Sequence, residues 1–310
     1  MKPIVIVGSI NMDLVSVTEH APTPGETVFG TDFHMYPGGK GANQAVAVAR
    51  LGYPSILLGM VGEDTFGSQL LEVLSASGVD TSQVERVPGS TGTASIVVDS
   101  RGENSIIVTP AANLHVSPKY LESKRQILRE AGMVLTQLEV PLPTVSLLAQ
   151  LCEEFGVPLM LDPAPAQELD DKTLSRIAWL TPNQTEARFY GNGAKDVDLT
   201  IKNLLGRGVR NVILKQGTNG VVVAHDHSEP YSIAAFPVKA IDTTAAGDSF
   251  NGAFAVAQLR GLSVEDSARY AAAAAAISVT RKGAQSSLPE HEEVDDLLAA
   301  HEKDPNGNIA

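Results

Sequence analysis

Cysteine and aromatic residues are scarce in this chain of 310 residues, which contains one cysteine, Cys152, and 5% aromatic residues. A single cysteine cannot form an intramolecular disulfide bond, and such usage is typical of a reducing compartment. Hydrophobic residues still make up 43% of the sequence. The core is therefore predicted to be aliphatic and rich in alanine, as in parallel sheets that are covered by helices.

Positively charged residues are outnumbered by acidic ones, and the formal net charge is -13. Nucleic-acid binding depends on clustered lysine and arginine, so no nucleic-acid partner is expected. The N-terminal residues lack a basic segment followed by an apolar one, and no run approaches the roughly 18 apolar residues of a membrane span. We expect a soluble cytoplasmic protein with no membrane partner.

Several common catalytic motifs are missing. Gly39-Lys40 is not followed by the Ser or Thr of a Walker A loop, and the turn Gly8-Ser9-Ile10-Asn11 lacks the dinucleotide-binding pattern. No G-x-S-x-G elbow or H-E-x-x-H helix occurs. The histidines, including the pair His225 and His227, show no spacing typical of metal ligands.

What the sequence does contain is a run of small residues before a predicted helix, Asp242-Thr243-Thr244-Ala245-Ala246-Gly247-Asp248. Small side chains let backbone N–H groups approach an anion, and a helix N-terminus is positively polarised. Asp248 is placed to take a proton from a hydroxyl that attacks a bound phosphoryl group. The alternative is that Asp248 only caps the helix, which is the commonest use of Asp after such a turn.

A second run, Pro37-Gly38-Gly39-Lys40-Gly41-Ala42-Asn43-Gln44, also places glycines before an apolar helical stretch. Glycine permits a close backbone approach, and Lys40, Asn43 and Gln44 can bind polyhydroxylated or phosphorylated groups. Two such loops in one chain favour a site for a phosphorylated ligand.

Short β-branched runs alternate with helix-sized segments along the chain. This alternation predicts an α/β fold with a doubly wound, mainly parallel sheet flanked by helices. Ligands bind beyond the carboxyl ends of such strands. The predicted strands are 4–7, 55–61, 133–137, 159–162, 179–181 and 211–215, and polar residues follow several of them: Asn11, Asp13, Glu139, Asp162 and Asn183.

Both glycine-containing runs resemble the two signatures of the PfkB carbohydrate-kinase family. Further segments that are similar to that family lie in order along residues 3–298: Gly8 to Asp13, Gln137 to Glu139, Asp162 to Ala166, Thr181 to Glu186 and Thr280 to Gln285. The resemblance implies ATP-dependent phosphorylation of D-ribose at its 5-hydroxyl. A kinase for 2-deoxyribose, a nucleoside or a sugar phosphate is the alternative within the family.

The resemblance also assigns roles to individual residues. It implies Asp248 as general base, with backbone amides of Ala245, Ala246 and Gly247 as the anion hole. The sugar would contact residues from four segments: Asn11, Asp13, Gly38, Gly39, Lys40, Gly41, Asn43, Glu139 and Asp248. For Asn11 and Asp13, the alternative is a plain strand-end turn.

Nucleotide and cation sites follow from the same resemblance. The predicted nucleotide-binding residues are Asn183, Glu186, Lys215, Gly217, Thr218, Gly220 and Gly247. Asn183 and Glu186 would organise water around Mg²⁺ and the phosphates, although an exposed Asn/Glu pair on a helix is otherwise common. A K⁺ site that activates the enzyme would be formed by Asp242, Thr244, Ser278, Arg281, Gly283 and Ser287.

The predicted organisation is one α/β domain over residues 1–300, with a polar tail over 301–310. Segments 14–36 and 93–109 break the strand-helix alternation, and the second resembles a hairpin. The resemblance implies that they form a small antiparallel β lid over the sugar and pair two subunits in a homodimer. An ordinary edge hairpin is the alternative. Pro110-Ala111-Ala112-Asn113 follows the hairpin where the family usually has a glycine.

Two functions of other classes remain open at this stage. One is a catalytically silent sugar-binding sensor, which the retention of Asp248 and the small-residue loop disfavours. The other is an NAD-dependent oxidoreductase, which the missing dinucleotide pattern disfavours.

Overall fold

The computed structural model describes residues 1–225 and 228–303, so His227 and most of the predicted tail lie outside it. The strands are β1 Ile4–Val7, β2 Asn11–Thr18, β3 Gly30–Gly38, β4 Ser55–Leu58, β5 Met60–Gly62, β6 Glu85–Val87, β7 Gly92–Val98, β8 Asn104–Thr109, β9 Met133–Thr136, β10 Leu159–Leu161, β11 Trp179–Leu180, β12 Asn211–Lys215, β13 Val221–Ala224 and β14 Tyr231–Ile233. The helices are α1 Lys40–Arg50, α2 Thr65–Ala76, α3 Pro118–Ser123, α4 Arg125–Glu130, α5 Leu142–Phe155, α6 Asp171–Leu174, α7 Gln184–Tyr190, α8 Val197–Gly206, α9 Ala246–Leu259, α10 Val264–Ser278 and α11 His291–Lys303.

The large sheet has eight strands in the order β14-β13-β12-β11-β10-β9-β1-β4. The pairs from β12 to β4 are parallel, and β13 and β14 form an antiparallel edge. The predicted α/β class and mainly parallel sheet are confirmed.

One predicted strand is wrong in its extent. The run 55–61 divides at Gly59 into β4, which joins the large sheet, and β5, which pairs with β6 in a separate sheet. A Cβ at Gly59 would lie 3.0 Å from the Gly8 carbonyl oxygen, so the chain passes close to another loop where the strand breaks. Sequence periodicity carries no signal for such a contact.

Helices cover both faces of the large sheet, as alternation along β1 illustrates. Ile4 and Ile6 are fully buried in a core that includes residues of α1, α9 and α10. Val5 and Val7 are buried in a second core, with residues of α3, α4 and α5. Because successive side chains of a strand point to opposite faces, each strand contributes to both cores.

A second sheet contains strands from both segments that interrupt the alternation. Its order is β3-β2-β7-β8, and its outer pairs are antiparallel. The hairpin predicted over 93–109 corresponds to β7 and β8. The central pair β2-β7 is parallel, so the small sheet is only partly antiparallel.

A helix that crosses a bilayer needs about 20 consecutive, mostly apolar residues. Within residues 1–225 and 228–303, no helix is long and apolar enough to cross a membrane.

Candidate active site

Asp248 lies in the first turn of α9, and its side chain is directed toward α1. Its Oδ2 accepts a hydrogen bond from Asn43 Nδ2 at 3.0 Å, and its Oδ1 accepts one from Gln44 Nε2 at 3.0 Å. Ala245 occupies the N-cap position of α9, without a side-chain cap. The capping role considered for Asp248 is therefore wrong. Asp248 is 5% exposed, and amides of another helix hold its carboxylate.

The charged groups around Asp248 form one electrostatically coupled cluster. Burial raises the pKa of Asp248 to about 6, and the positive charge of Lys40 acts in the opposite direction. Burial, together with the charges of Glu139 and Asp248, raises the pKa of Asp13 to about 7. Burial lowers the pKa of Lys40, but the surrounding carboxylates, led by Asp248, outweigh it and raise that pKa. A carboxylate with a pKa near neutrality suits proton transfer.

The loop before α9 has an unusual backbone at Ala245. Its φ of 59° lies in the left-handed region, which residues with a Cβ rarely adopt. This conformation turns the chain into the helix N-terminus, where N–H groups are left without intrahelical acceptors. The Ala246 N–H donates to the Thr243 carbonyl at 3.3 Å. The small residues therefore form a tight turn directly before Asp248.

Asn11 and Asp13 belong to strand β2, so the strand-end turn considered for them is wrong. Residues two apart in a strand project from the same face. Gly38 is the partner of Asn11 in β3, and a Cβ at Gly38 would overlap the Asp13 carboxylate. Gly39, with φ of 88°, then occupies the N-cap position of α1. The second glycine-containing run thus brings the start of α1 against the Asp13 carboxylate.

Glu139 joins this group from the loop after β9. Ser9 Oγ donates to Glu139 Oε2 at 2.5 Å, and the Lys40 N–H donates to the same oxygen at 3.4 Å. The Gly41 N–H donates to Ser9 Oγ at 3.5 Å. The structure therefore brings together the loop after β1, the start of α1 and the loop after β9, as expected for the carboxyl ends of parallel strands.

A cavity of about 480 Å³ lies beside the N-terminus of α9. Its volume is in the range of small-molecule sites. Aliphatic and aromatic side chains such as Phe236, Val238 and Phe250 line it, and Lys215 lies at its wall. Five of the predicted nucleotide-binding residues line the cavity: Lys215, Gly217, Thr218, Gly220 and Gly247.

Asn183 and Glu186, the other two, form a capping box at the start of α7. Asn183 Oδ1 accepts from the Thr185 and Glu186 N–H groups, and Glu186 Oε2 accepts from the Asn183 N–H at 2.7 Å. Glu186 is 8% exposed but Asn183 is exposed, so the alternative of an exposed pair is contradicted for Glu186 alone. Burial, followed by the negative charge of Asp162, raises the pKa of Glu186.

Asp162 connects this region to the cavity. Its Oδ1 pairs with Lys215 Nζ at 3.2 Å, and its Oδ2 lies 3.4 Å from Gln44 Nε2. Asp162 is 4% exposed. A buried carboxylate that is paired with a lysine at the wall of the cavity is suited to a site for phosphates and their cation.

The six residues predicted to hold K⁺ are only partly in contact with one another. Asp242 Oδ2 accepts from the Gly283 N–H at 2.9 Å, and its Oδ1 accepts from the N–H and hydroxyl of Thr244. Burial raises the pKa of Asp242, but these hydrogen bonds outweigh it and lower that pKa. Arg281 directs its guanidinium to Glu293 instead.

The serines of the predicted set donate locally. Ser278 Oγ donates to the Ala275 carbonyl, and Ser287 Oγ donates to the Ala284 carbonyl. Both are fully buried. Their carbonyls and hydroxyl oxygens are the hard oxygen atoms that a monovalent cation would need.

Four residues outside the predicted set hold the site together: Ser9, Gln44, Asn113 and Asp162. All are buried, and each donates to or accepts from a predicted site residue. Ser9, Gln44 and Asp162 lie inside the motifs that carry the resemblance, so position in a motif was the available signal. Asn113 follows the hairpin, and nothing in its local sequence identifies its partner.

Comparisons with known proteins agree with this geometry. The model of the pfkB family carbohydrate kinases matches residues 1–291. A ribokinase of Bacillus subtilis (strain 168) is 41% identical over 300 residues, which cover 96% of this chain and 100% of that protein.

Solved structures are similar over the same extent. The crystal structure of a ribokinase from Thermotoga maritima has a TM-score of 0.90 and 38% identity, covering 96% of this chain and 100% of that one. The structure of Arabidopsis thaliana ribokinase complexed with ribose and ATP has a TM-score of 0.90 and 35% identity, covering 96% of this chain and 98% of that one.

Proposed function

The chain belongs to the pfkB family of carbohydrate kinases, and on that premise we propose that it transfers the γ-phosphoryl group of ATP to the 5-hydroxyl of D-ribose. The similar proteins described above are ribokinases, and one was solved with ribose and ATP. The products are ribose 5-phosphate and ADP.

The observation that carries this proposal is the position of Asp248. The Asp248 side chain is buried in the first turn of α9, near enough to Asp13 for its charge to help raise the pKa of Asp13, and it directly follows Gly247, which lines the cavity. A hydroxyl that attacks a phosphorus atom needs a base on the sugar side and positive charge on the phosphate side. Asp248 supplies the base, and the positively polarised N-terminus of α9 faces the phosphate side, within one helix turn.

The reaction follows from these positions. The ribose 5-oxygen forms a bond to the γ-phosphorus as the bond from that phosphorus to the β,γ-bridging oxygen breaks, and ADP leaves with that oxygen. The hydroxyl proton goes to Asp248. The N–H groups of Ala245, Ala246 and Gly247 would stabilise the charge on the transferring oxygens, aided by Lys40. The Ala246 N–H would then exchange its 3.3 Å bond to the Thr243 carbonyl for a phosphate oxygen.

Sugar recognition rests on polar atoms from separate segments. The carboxylates of Asp13 and Glu139 accept hydrogen bonds from sugar hydroxyls, and the amides of Asn11 and Asn43 complete the pocket. The glycines Gly38, Gly39 and Gly41 would leave space for the ring. Each buried hydroxyl without a partner costs roughly 1–3 kcal/mol, so such a set discriminates strongly among sugars.

ATP would occupy the cavity of about 480 Å³. Its apolar lining suits a flat base, and Thr218 with the backbone of Gly217 and Gly220 would border the adenosine. Lys215 lies close to Gly247: a Cβ placed on Gly247 would be 3.2 Å from the Lys215 Nζ. The lysine charge is therefore placed for the phosphates.

Mg²⁺ fits the acidic end of this region. Within the described part of the chain, no three His, Cys, Asp or Glu side chains cluster as ligands of one metal. A cation carried by the phosphates and water needs no such cage. Burial and then the negative charge of Asp162 raise the pKa of Glu186, and a nearby cation would relieve the repulsion between the two carboxylates. When bound, Mg²⁺ supplies charge neutralisation at the phosphates, and Asn183 and Glu186 would orient its waters.

A K⁺ site would fit between the loop before α9 and the turn at Gly283. Asp242 links the loop before α9 to the turn at Gly283. With the oxygens of Thr244, Ser278, Arg281, Gly283 and Ser287, the carboxylate would hold a monovalent cation. Because the loop leads directly into Ala245, an occupied site would favour the conformation of the anion hole.

The small sheet would serve as the lid and the dimer contact. Its outer strands expose large apolar side chains, among them Phe33 at 56%, Ile106 at 52% and Ile107 at 71%. A second copy of the chain would cover such a surface. Light scattering of the purified protein and of Ile107→Glu should give a dimer and a monomer, respectively. A monomeric wild type would contradict this part of the proposal.

The activity is tested by ADP release from ATP and Mg²⁺ with D-ribose, 2-deoxy-D-ribose, fructose 6-phosphate and adenosine in parallel. Ribose should give the highest kcat/KM. A higher kcat/KM with another acceptor would support a kinase but would contradict ribose as its substrate. Ribose binding without turnover would favour a sensor, and NAD binding without turnover would favour an oxidoreductase.

A further inference from the structure

Asn113 is a buried amide that lies next to the predicted sugar site without belonging to it. It is 1% exposed and belongs to the 3₁₀ turn Ala111–His115, which follows β8. Ala111, at the start of this turn, has φ of 43°. The turn therefore follows the last strand of the small sheet in the chain and packs against the loop after β1 through Asn113.

Backbone groups determine which way the Asn113 amide faces. The Ile10 N–H donates to Asn113 Oδ1 at 3.0 Å, and Asn113 Nδ2 donates to the Ile10 carbonyl at 3.3 Å. An N–H group can only donate and a carbonyl can only accept, so the opposite orientation would lose both bonds. Asn113 therefore presents Nδ2, a donor, to its remaining neighbour.

That neighbour is Asn11, whose Oδ1 accepts from Asn113 Nδ2 at 2.7 Å. The orientation of the Asn11 amide is fixed in turn, since its oxygen must face Asn113. Within the described residues, Asn11 Nδ2 has no protein acceptor. This nitrogen is not fully buried, so a ligand can reach it. Asn11 shares the β2 face with Asp13, so a free donor lies beside a carboxylate acceptor.

Gly92 keeps this pair of amides in place. It is the partner of Asn11 in β7, and a Cβ there would overlap both Asn11 Oδ1 and Asn113 Nδ2. Only glycine allows the two side chains to meet at this point of the sheet.

We infer that Asn113 is a positioning residue for substrate selection, which holds Asn11 so that its Nδ2 donates to a sugar hydroxyl. A hydroxyl both accepts and donates, so Asn11 would donate to it and Asp13 would accept from the same region. This inference rests on the proposed function, because it assumes a sugar beside Asn11 and Asp13.

The experiment compares wild type with Asn113→Asp. The variant keeps an acceptor for the Ile10 N–H but removes the amide donor, so Asn11 should turn its Nδ2 toward the new carboxylate. We expect KM for ribose to rise by about ten-fold, as for one lost hydrogen bond, with kcat and KM for ATP within about two-fold. An unchanged KM for ribose overturns the inference.

A double-mutant cycle separates positioning from a general structural role. In an Asn11→Ala background, Asn113→Asp should no longer change KM for ribose, since its effect acts through Asn11. A rise of similar size in that background overturns the inference. If Asn113→Asp does not fold, the near-isosteric Asn113→Leu takes its place in the same cycle. A wild type that is inactive on ribose and every other sugar tested overturns the proposed function, and the inference with it.

Discussion

Gln44 Nε2 donates to Asp248 Oδ1 at 3.0 Å, across 204 residues of sequence. Gln44 Oε1 accepts from Gln137 Nε2 at 2.7 Å, so the amide is itself held in one orientation. Because its Nε2 also lies 3.4 Å from Asp162 Oδ2, this side chain connects the proposed base to the carboxylate that pairs with Lys215. The sugar side and the phosphate side of the site are therefore joined through one amide.

We predict that Gln44→Leu moves the acid limb of the kcat/KM profile for ribose to higher pH. The hydrogen bond from Gln44 lowers the pKa of Asp248, so its removal raises that pKa above about 6. A bond to a charged group is worth about 1.5 kcal/mol, which corresponds to a shift of about one pH unit. The measurement is kcat/KM from pH 5 to pH 8. Gln126→Leu, at an exposed position of α4, is the control, and equal acid limbs would contradict the prediction.

Asp248→Asn should lower kcat by about 10²- to 10⁴-fold, the usual contribution of a general base. The amide is nearly isosteric with the carboxylate but cannot take the hydroxyl proton. Ribose binding by calorimetry should change far less than kcat, because the other sugar-binding side chains remain. Asp198→Asn, at an exposed site on α8, should behave as wild type. If the Asp248 variant turned over ribose within a few-fold of wild type, Asp248 would not be the general base.

Asp13→Asn should raise thermal stability at pH 8 in the absence of ligands. The pKa of Asp13 in the folded protein is about 7 against an ordinary value of 3.8, so ionisation opposes folding and stability is lost as pH rises between those values. A neutral amide escapes that loss. We expect a Tm gain of about 2–4 °C at pH 8 that shrinks toward pH 4.5. A gain that did not depend on pH would indicate another cause, and Asp198→Asn provides the baseline.

Ala245→Gly should stabilise the unliganded protein by about 0.5–1 kcal/mol. The left-handed φ of Ala245 strains a residue with a Cβ, and glycine adopts it freely, although glycine also gains entropy in the unfolded chain. Urea unfolding measures the change. Ala246→Gly is the matched control, because Ala246 begins α9 and its replacement should have the opposite sign. Destabilisation by both substitutions would contradict the strain at Ala245.

The fold class could be predicted from sequence because alternation and strand composition are local signals. Five of the six predicted strands lie within one residue of their observed bounds, and β1 and β12 agree at both ends. The predicted strands do not include the edge strands β13 and β14, and the single strand predicted over 55–61 is two strands that divide at Gly59. A break that depends on the approach of another loop, here at Gly8, leaves no local mark.

The candidate site was predictable in its residue types and less so in its contacts. A glycine-containing loop before a helix indicates an anion site wherever it occurs, which is how Gly39 and Asp248 could be singled out. That Asn43 and Gln44 hold both oxygens of Asp248 depends on the packing of α1 against α9. The partner of Asn113 depends in the same way on the packing of the turn Ala111–His115 against Ile10 and Asn11.

Potassium should raise the rate of phosphoryl transfer, and Asp242→Asn should reduce that stimulation. The carboxylate holds the Gly283 turn and Thr244 beside the anion-hole loop, and a cation among these oxygens would fix the same loop. The readout is the ratio of kcat in K⁺ to kcat in Tris buffer, which should fall toward one in the variant. Asp295→Asn, exposed on α11, is the control. Equal wild-type rates in K⁺, Na⁺ and Tris would show that the Asp242 loop needs no cation to adopt its active conformation.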